Sequence, residues 1–250
     1  MRAIVHILLL TGLVATVTAA QAPPPVANDI VGAARTALGG EKKIAAVKSF
    51  VASGRTQQLR GNNLVPIEFE IASELPDRYV RRDEIPAQES GPTTVGFNGD
   101  ALIQLPVPPQ PPAEAAWRAR IATIKQDVAR LTLGMFAGMF SSDPLTFTYA
   151  GQAEAPQGRA DVLDVKSAGN ASMRFFVHRD THLPVMVSWQ APVQGKPVEH
   201  RLYFADYRDV EGLRLPFRLR RAVGPDTVEE TTFDRFRINA KIDARKFEAR

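Results

Sequence analysis

The sequence predicts a mainly β fold of the α+β class, a curved antiparallel sheet covered on its concave side by one long amphipathic helix. Three observations carry this. From Ser49 onward most segments alternate apolar and polar residues with a period of two, as at Val185/Val187/Trp189 and Leu215/Phe217/Leu219. Turn signals separate these segments at short intervals, so consecutive strands pair as antiparallel neighbours. A single long stretch instead repeats apolar residues at helical spacing, and a sheet with one dry face needs such a cover.

The elements follow in order. Asn28 to Leu38 reads as a short helix with Asn28 as N-cap, stopped by Gly39-Gly40, and Glu41 to Val47 as one or two further turns. Phe50 to Leu59 is long enough for a strand, and Gly61-Asn62-Asn63 turns it. Ile67, Phe69 and Ile71 then share one face, with Glu68 and Glu70 on the other. Arg78 to Asp83 follows Pro76-Asp77, and Asn98-Gly99-Asp100 joins 93–97 to 101–105 as a tight hairpin. Five prolines between Pro106 and Pro112 exclude helix and ladder strand.

The long helix follows, roughly Ala113 to Met139. Trp117, Ile121, Ile124, Val128, Leu131 and Met135 form its narrow apolar stripe, with Arg118, Arg120, Lys125, Asp127 and Arg130 mostly off it. Gly134 and Gly138 are expected to loosen its last turns, where Met135, Phe136, Met139 and Phe140 crowd together. Seven more strands complete the chain, over 145–149, 160–166, 172–178, 184–190, 199–207, 214–222 and 228–238.

The first residues predict export. Arg2 precedes an apolar run from Ile4 to Thr18, and Thr18-Ala19-Ala20 offers small residues for cleavage before Pro23-Pro24-Pro25. Residues 1–20 are therefore expected to be a cleaved signal peptide and 21–27 a Pro-rich linker. Residues 28–250 then form a single domain in the periplasm or outside the cell. The run is shorter than the roughly 20 residues that span a membrane. With no cysteine in the chain, lipid attachment at the cleavage site and disulfide staples are both excluded. At about 230 mature residues the domain can bury a core without them. The 31 basic and 27 acidic residues of the full chain are interspersed, so nothing demands nucleic acid.

Chemistry is sparse. His178 and His182 flank the turn Arg179-Asp180-Thr181, and no zinc-type ligand set is present. Asp206, Asp209 and Glu211 surround a turn without calcium-loop spacing. Glu229 and Glu230 are adjacent on a strand, so they point to opposite faces and cannot act as an acid/base pair. No nucleophile elbow or phosphate loop occurs. The expectation is no enzyme, no cofactor and no metal. Arg78, Arg81 and Arg82 form one cationic group, and Arg214, Arg218, Arg220 and Arg221 another. Alternating Arg218 and Arg220 read as a solvated sheet face, or as a contact for anionic headgroups or an acidic partner.

Five stretches carry a family resemblance: 37–50, where a helix runs into the first strand; Gly96-Phe97-Asn98-Gly99-Asp100; Phe175 to Val177 with Asp180-Thr181-His182-Leu183-Pro184; Phe204-Ala205-Asp206-Tyr207 with Val210-Glu211-Gly212 and Leu215-Pro216; and Ile238-Asn239 to Phe247. Together they resemble the outer-membrane lipoprotein carrier superfamily (LolA/LolB-like), of the lipoprotein-sorting protein type. The chain departs from typical carriers in its Pro-rich segment and the length of its central helix. The resemblance implies a half-open β-barrel closed by helices around a hydrophobic cavity that in the family holds acyl chains.

The function expected is a non-enzymatic periplasmic carrier or sensor for a lipid, a lipoprotein acyl chain or another apolar ligand. Its cavity lining is expected from Trp117, Ile121, Ile124, Val128, Leu131, Met135, Phe136 and Met139 on the helix, with Phe69 and Trp189 from the sheet. Arg218 and Arg220 would meet a headgroup or partner. Expected partners are lipid or acylated protein, or envelope proteins, with transient contact at a membrane surface. The alternatives are an envelope interaction module with a self-filled barrel and a hydrolase with an unrecognised site.

Overall fold

The computed structural model describes residues 26–86, 88–89, 91–110, 112–138, 144–155, 158–167 and 171–248. The expected signal peptide, most of the expected linker, and Met139 and Phe140 lie outside the described residues.

Two short helices, α1 (Ala27–Ala37) and α2 (Glu41–Ala45), precede five strands: β1 (Ser49–Arg60), β2 (Asn63–Glu74), β3 (Arg78–Glu84), β4 (Thr93–Asn98) and β5 (Ala101–Leu105). Then come α3 (Glu114–Phe136) and seven strands: β6 (Leu145–Ala155), β7 (Gly158–Ser167), β8 (Ser172–His178), β9 (Pro184–Val193), β10 (Lys196–Val210), β11 (Leu213–Val223) and β12 (Asp226–Ile238). One 12-stranded sheet holds them all, in the order β5-β4-β3-β2-β1-β12-β11-β10-β9-β8-β7-β6. The first five strands step outward from β1. After α3 the chain restarts at the opposite edge with β6 and works back until β12 pairs antiparallel with β1.

Bulges bend this sheet. The β1–β12 register shifts at Gly54, where a Cβ would lie 2.2 Å from the Thr232 carbonyl oxygen, so only glycine fits. The β11–β12 register shifts likewise between Arg221 and Ala222, and in β10 Asp206, at a positive φ of 55°, drops out of the pairing with β11 without a register shift. The result is an open half-barrel with α3 on its concave face.

The main core lies between that face and the helices. Phe50, Leu163, Phe175, Val187 and Leu215 from the sheet meet Ala34, Leu38, Leu133, Met135 and Phe136 from α1, its C-cap and α3. A smaller cluster on the outer face joins Val51, Ala72, Val80 and Ile103 to Ile242 and Phe247. There a 3-10 helix (Ala244–Phe247) straps the outside of β1–β5. The stretches that carried the resemblance meet in space. Asn239 accepts from the Lys48 amide at 2.7 Å and donates to the Ala46 carbonyl at 3.0 Å, tying the end of β12 to the start of β1. Asn98 donates to the Phe247 carbonyl at 3.2 Å.

Two local expectations are corrected. Asn28 is not the N-cap of α1, because the helix already begins at Ala27, a buried residue, and Val26 caps it without a side-chain bond. Helix α3 ends at Phe136, before the expected end at Met139, and Gly138 lies beyond it. Gly134 makes room for the ring of Phe204, which a Cβ would meet at 2.0 Å, and the buried helix closes in a left-handed Ala137.

Candidate functional site

A partly open cavity of about 230 Å³ lies between the middle of α3 and the concave face of the sheet. Its roof is one side of α3: Ile124, Asp127, Val128, Arg130 and Leu131. Phe69 and Ile71 of β2, Tyr79 and Arg81 of β3 and Val95 of β4 form one wall. Trp189 of β9, Leu202 of β10, Leu219 and Arg221 of β11, and Glu229, Thr231 and Phe233 of β12 complete it. The apolar part follows from strand alternation, which aims every second residue of these strands inward.

The polar part consists of three arginines and two carboxylates set into that apolar wall. Arg81 donates to Asp83 at 2.7 Å and to the Thr56 hydroxyl at 3.3 Å, and lies 4.6 Å over the Phe69 ring. Burial works against its charge, but Asp83, Tyr79 and Glu229 more than offset this and raise its pKa. Glu229 accepts from Gln58 and Thr231, each at 3.3 Å. Burial pushes the Tyr79 phenol far above its ordinary range, so it is a neutral donor at any physiological pH.

Arg130 is held by Asp127 at 2.7 Å and Gln126 at 3.1 Å. Its guanidinium lies 4.2 Å from the centre of Trp189, which stacks in turn on His200 with ring centres 5.5 Å apart. Burial lowers the Arg130 pKa despite Asp127. Burial, then Arg221 and Arg130, lower that of His200, so the imidazole is held neutral. Both ring nitrogens of His200 and the Nε atoms of Arg130 and Arg221 are buried without a hydrogen-bond partner among the described residues. Arg130 and Trp189 also border an open groove of about 680 Å³ with Lys166, Arg174 and Glu199 on its sides.

Of the residues expected to line a cavity, Phe69, Ile124, Val128, Leu131 and Trp189 do border this one. Met135 and Phe136 are fully buried in the main core, which Ile121 joins closer to the start of α3 and against which Trp117 packs. Met139 is outside the described residues. Arg218 and Arg220 are exposed on the outer face, where Arg220 lies 4.3 Å over Tyr203, so they do not reach the cavity. The cavity's arginines are Arg81, Arg130 and Arg221. Arg221 was legible, since the inward series Leu215, Phe217, Leu219 continues to it by steps of two. Arg130 was not, because it stands off the apolar stripe of a helix whose second half is buried almost all round.

The two turns considered for metals are satisfied within themselves. His178 Nδ1 accepts from the Asp180 and Thr181 amides at 3.2 and 3.3 Å. Asp206 pairs with Arg208 at 2.5 Å, and Asp209 accepts from the Gly212 amide at 3.1 Å. Among the described residues no group of three or more His, Asp or Glu could hold a metal, and no helix is long and apolar enough to cross a membrane.

No family model matches the sequence, and no curated protein does. Solved structures do match its fold. A LolA superfamily protein of Nitrosomonas europaea superposes with a TM-score of 0.59 at 11% identity, over 90% of this chain and 98% of that one. The chain has the LolA-type fold. A lipoprotein-sorting protein domain from Vibrio parahaemolyticus shares this LolA-type architecture at a TM-score of 0.57 and 10% identity, over 88% and 97% of the two chains. A DUF1329 family protein from Desulfovibrio piger does so at 0.56 and 12%, over 90% and 98%.

Proposed function

We propose that the protein is a non-enzymatic carrier or sensor of the periplasm, which shelters a lipid-like ligand in the cavity under α3. The observation that carries the reading is the cavity itself. A half-barrel filled by its own side chains would leave no such space, whereas here aromatic and aliphatic walls surround about 230 Å³. That lies just under the ~300–1,000 Å³ usual for small-molecule sites, which suits one acyl chain better than several. Each buried methylene would contribute about 0.8 kcal/mol. Two supports are independent of the cavity: the leader-like first 20 residues, and structural neighbours that include a lipoprotein-sorting domain. The Thr231 hydroxyl and the two carboxylates around the cavity are engaged: the hydroxyl with Thr56 and Glu229, Asp127 with Arg130, and Glu229 with Gln58.

The test is to express the full-length chain in a Gram-negative host and weigh the periplasmic product by native mass spectrometry. A chain shortened by residues 1–20 and carrying a lipid-sized adduct is the expected result. A product retained in the cytoplasm at full mass would sink the export reading. A processed chain that stays free of adduct after incubation with lipid extracts would sink the carrier reading.

A further inference from the structure

Resting on that reading, we infer that the ligand is a single-chain amphiphile with an anionic head, a carboxylate or a phosphate monoester, and that Arg221 is the residue that holds the head. Three arginines border the cavity, and two are already engaged. Arg81 is spent on Asp83 and Thr56, and Arg130 on Asp127 and Gln126. The Arg221 side chain makes neither a hydrogen bond nor an ion pair with any described residue. Glu229, its cross-strand partner in the β11–β12 ladder, is turned to Gln58 and Thr231 instead.

The position is costly for an empty site. Arg221 shares its corner with Arg130 and with His200, and both feel its charge. Buried donors without acceptors are rare in folded proteins, and each calls for a partner that the described residues do not supply. Here four unpartnered nitrogens fall in one corner of the fold: the Nε donors of Arg130 and Arg221, and the two ring nitrogens of His200, of which the neutral ring makes one a donor and one an acceptor. Arg221 and Arg130 both line the cavity at that corner. An anion between them would complete the corner electrostatically, and a bidentate oxygen pair matches the planar fork of a guanidinium.

The rest of the wall fixes the shape of the ligand. Leu219, Phe233, Phe69 and Leu131 line the same cavity as Arg221, and its other charged groups, Arg81, Asp127, Arg130 and Glu229, have side-chain partners. Those apolar walls suit one hydrocarbon chain, and the small volume leaves no room for a second. On the far side of the Arg130–Trp189 stack lies the open polar groove, a path by which the head can remain partly hydrated.

The experiment compares three ligands of one chain length, dodecanoate, dodecyl phosphate and dodecanol, on the delipidated protein by isothermal titration at neutral pH. Each is measured on the wild type and on Arg221→Met and Arg221→Lys, with circular dichroism to establish that every variant is folded. One or both anions should bind the wild type about tenfold or more tighter than the alcohol, the scale of a charge-assisted bond. The anion that does so identifies the head. Arg221→Met should erase that preference while leaving dodecanol affinity unchanged, and Arg221→Lys should restore part of it. Equal binding of acid and alcohol by the wild type would overturn the anionic head and leave the apolar cavity standing. A preference that survives Arg221→Met in a folded variant would overturn the assignment to Arg221. Failure of all three ligands to bind would overturn the carrier reading with it.

Discussion

A buried histidine between two arginines has a consequence for stability that can be measured without any ligand. His200 faces Arg221 from β11, Arg130 and Asp127 from α3 and the Trp189 ring from β9; burial and then the arginines hold its pKa below the ordinary 6.5. Between that lowered value and 6.5 the unfolded chain binds a proton that the folded chain refuses. The contribution of His200 is therefore fully present above 6.5 and is lost as the pH falls toward the folded-state value. The difference in melting temperature between wild type and His200→Gln should accordingly shrink as the pH is lowered from about 7.5 to about 5. Parallel profiles for the two proteins would mean that the imidazole does not sense its neighbours. An anion seated on Arg221 would oppose the repulsion, so the same titration with bound dodecanoate should move the His200 midpoint upward. The residue type at 200 gave no hint of this. A lone histidine on a strand becomes informative only when the fold brings β9, β11 and α3 around it.

At the scale of elements, β-strand alternation, turn residues and the helical stripe were legible because each is a local rule. The expected strand over 101–105 coincides with β5, and the expected start of β3 at Arg78 is the observed one. What local rules missed is the interior of the half-barrel. Its polar groups come from β3, α3, β11 and β12, separated by tens of residues, and periodicity does not say which strands will face each other across a cavity. Helix α3 illustrates the limit. Its stripe predicted one buried side, yet from Val128 to Phe136 only Ala129 escapes burial, because β9 and β11 pack on the helix and Phe204 and Tyr207 of β10 reach it at Gly134. Gly134 is the contact that permits this. Phe204 lies where a side chain would be, and Tyr207 anchors the neighbourhood by donating to the Pro184 carbonyl at 2.8 Å. Gly134→Ala should therefore destabilise the protein by about 1–3 kcal/mol, the range for overpacking, even though alanine is the better helix former. Adding Phe204→Leu should recover part of that loss in urea unfolding. If Gly134→Ala instead stabilises, the ring is free to move aside and the helix is not seated on it.

The whole molecule divides its work between the two faces of one sheet. The concave face carries the cavity, and its arginines trade stability for a place where an anion can sit. The outer face carries a compensating structure: Phe247, 2% exposed, and Ile242 close an apolar cluster over β1–β5. Truncating Phe247 to alanine should cost about 3–5 kcal/mol, because the ring fills a site that rigid strands cannot collapse around. The sheet lies between that cluster and the cavity, and none of the cavity's walls belongs to the cluster. Phe247→Ala is therefore expected to lower the midpoint of unfolding and leave the affinity for a bound amphiphile unchanged wherever the protein is still folded. Measuring both on one preparation separates the faces. If affinity falls together with stability, the strap on the outside sets the curvature of the sheet and hence the width of the cavity. The two faces would then be one mechanical unit.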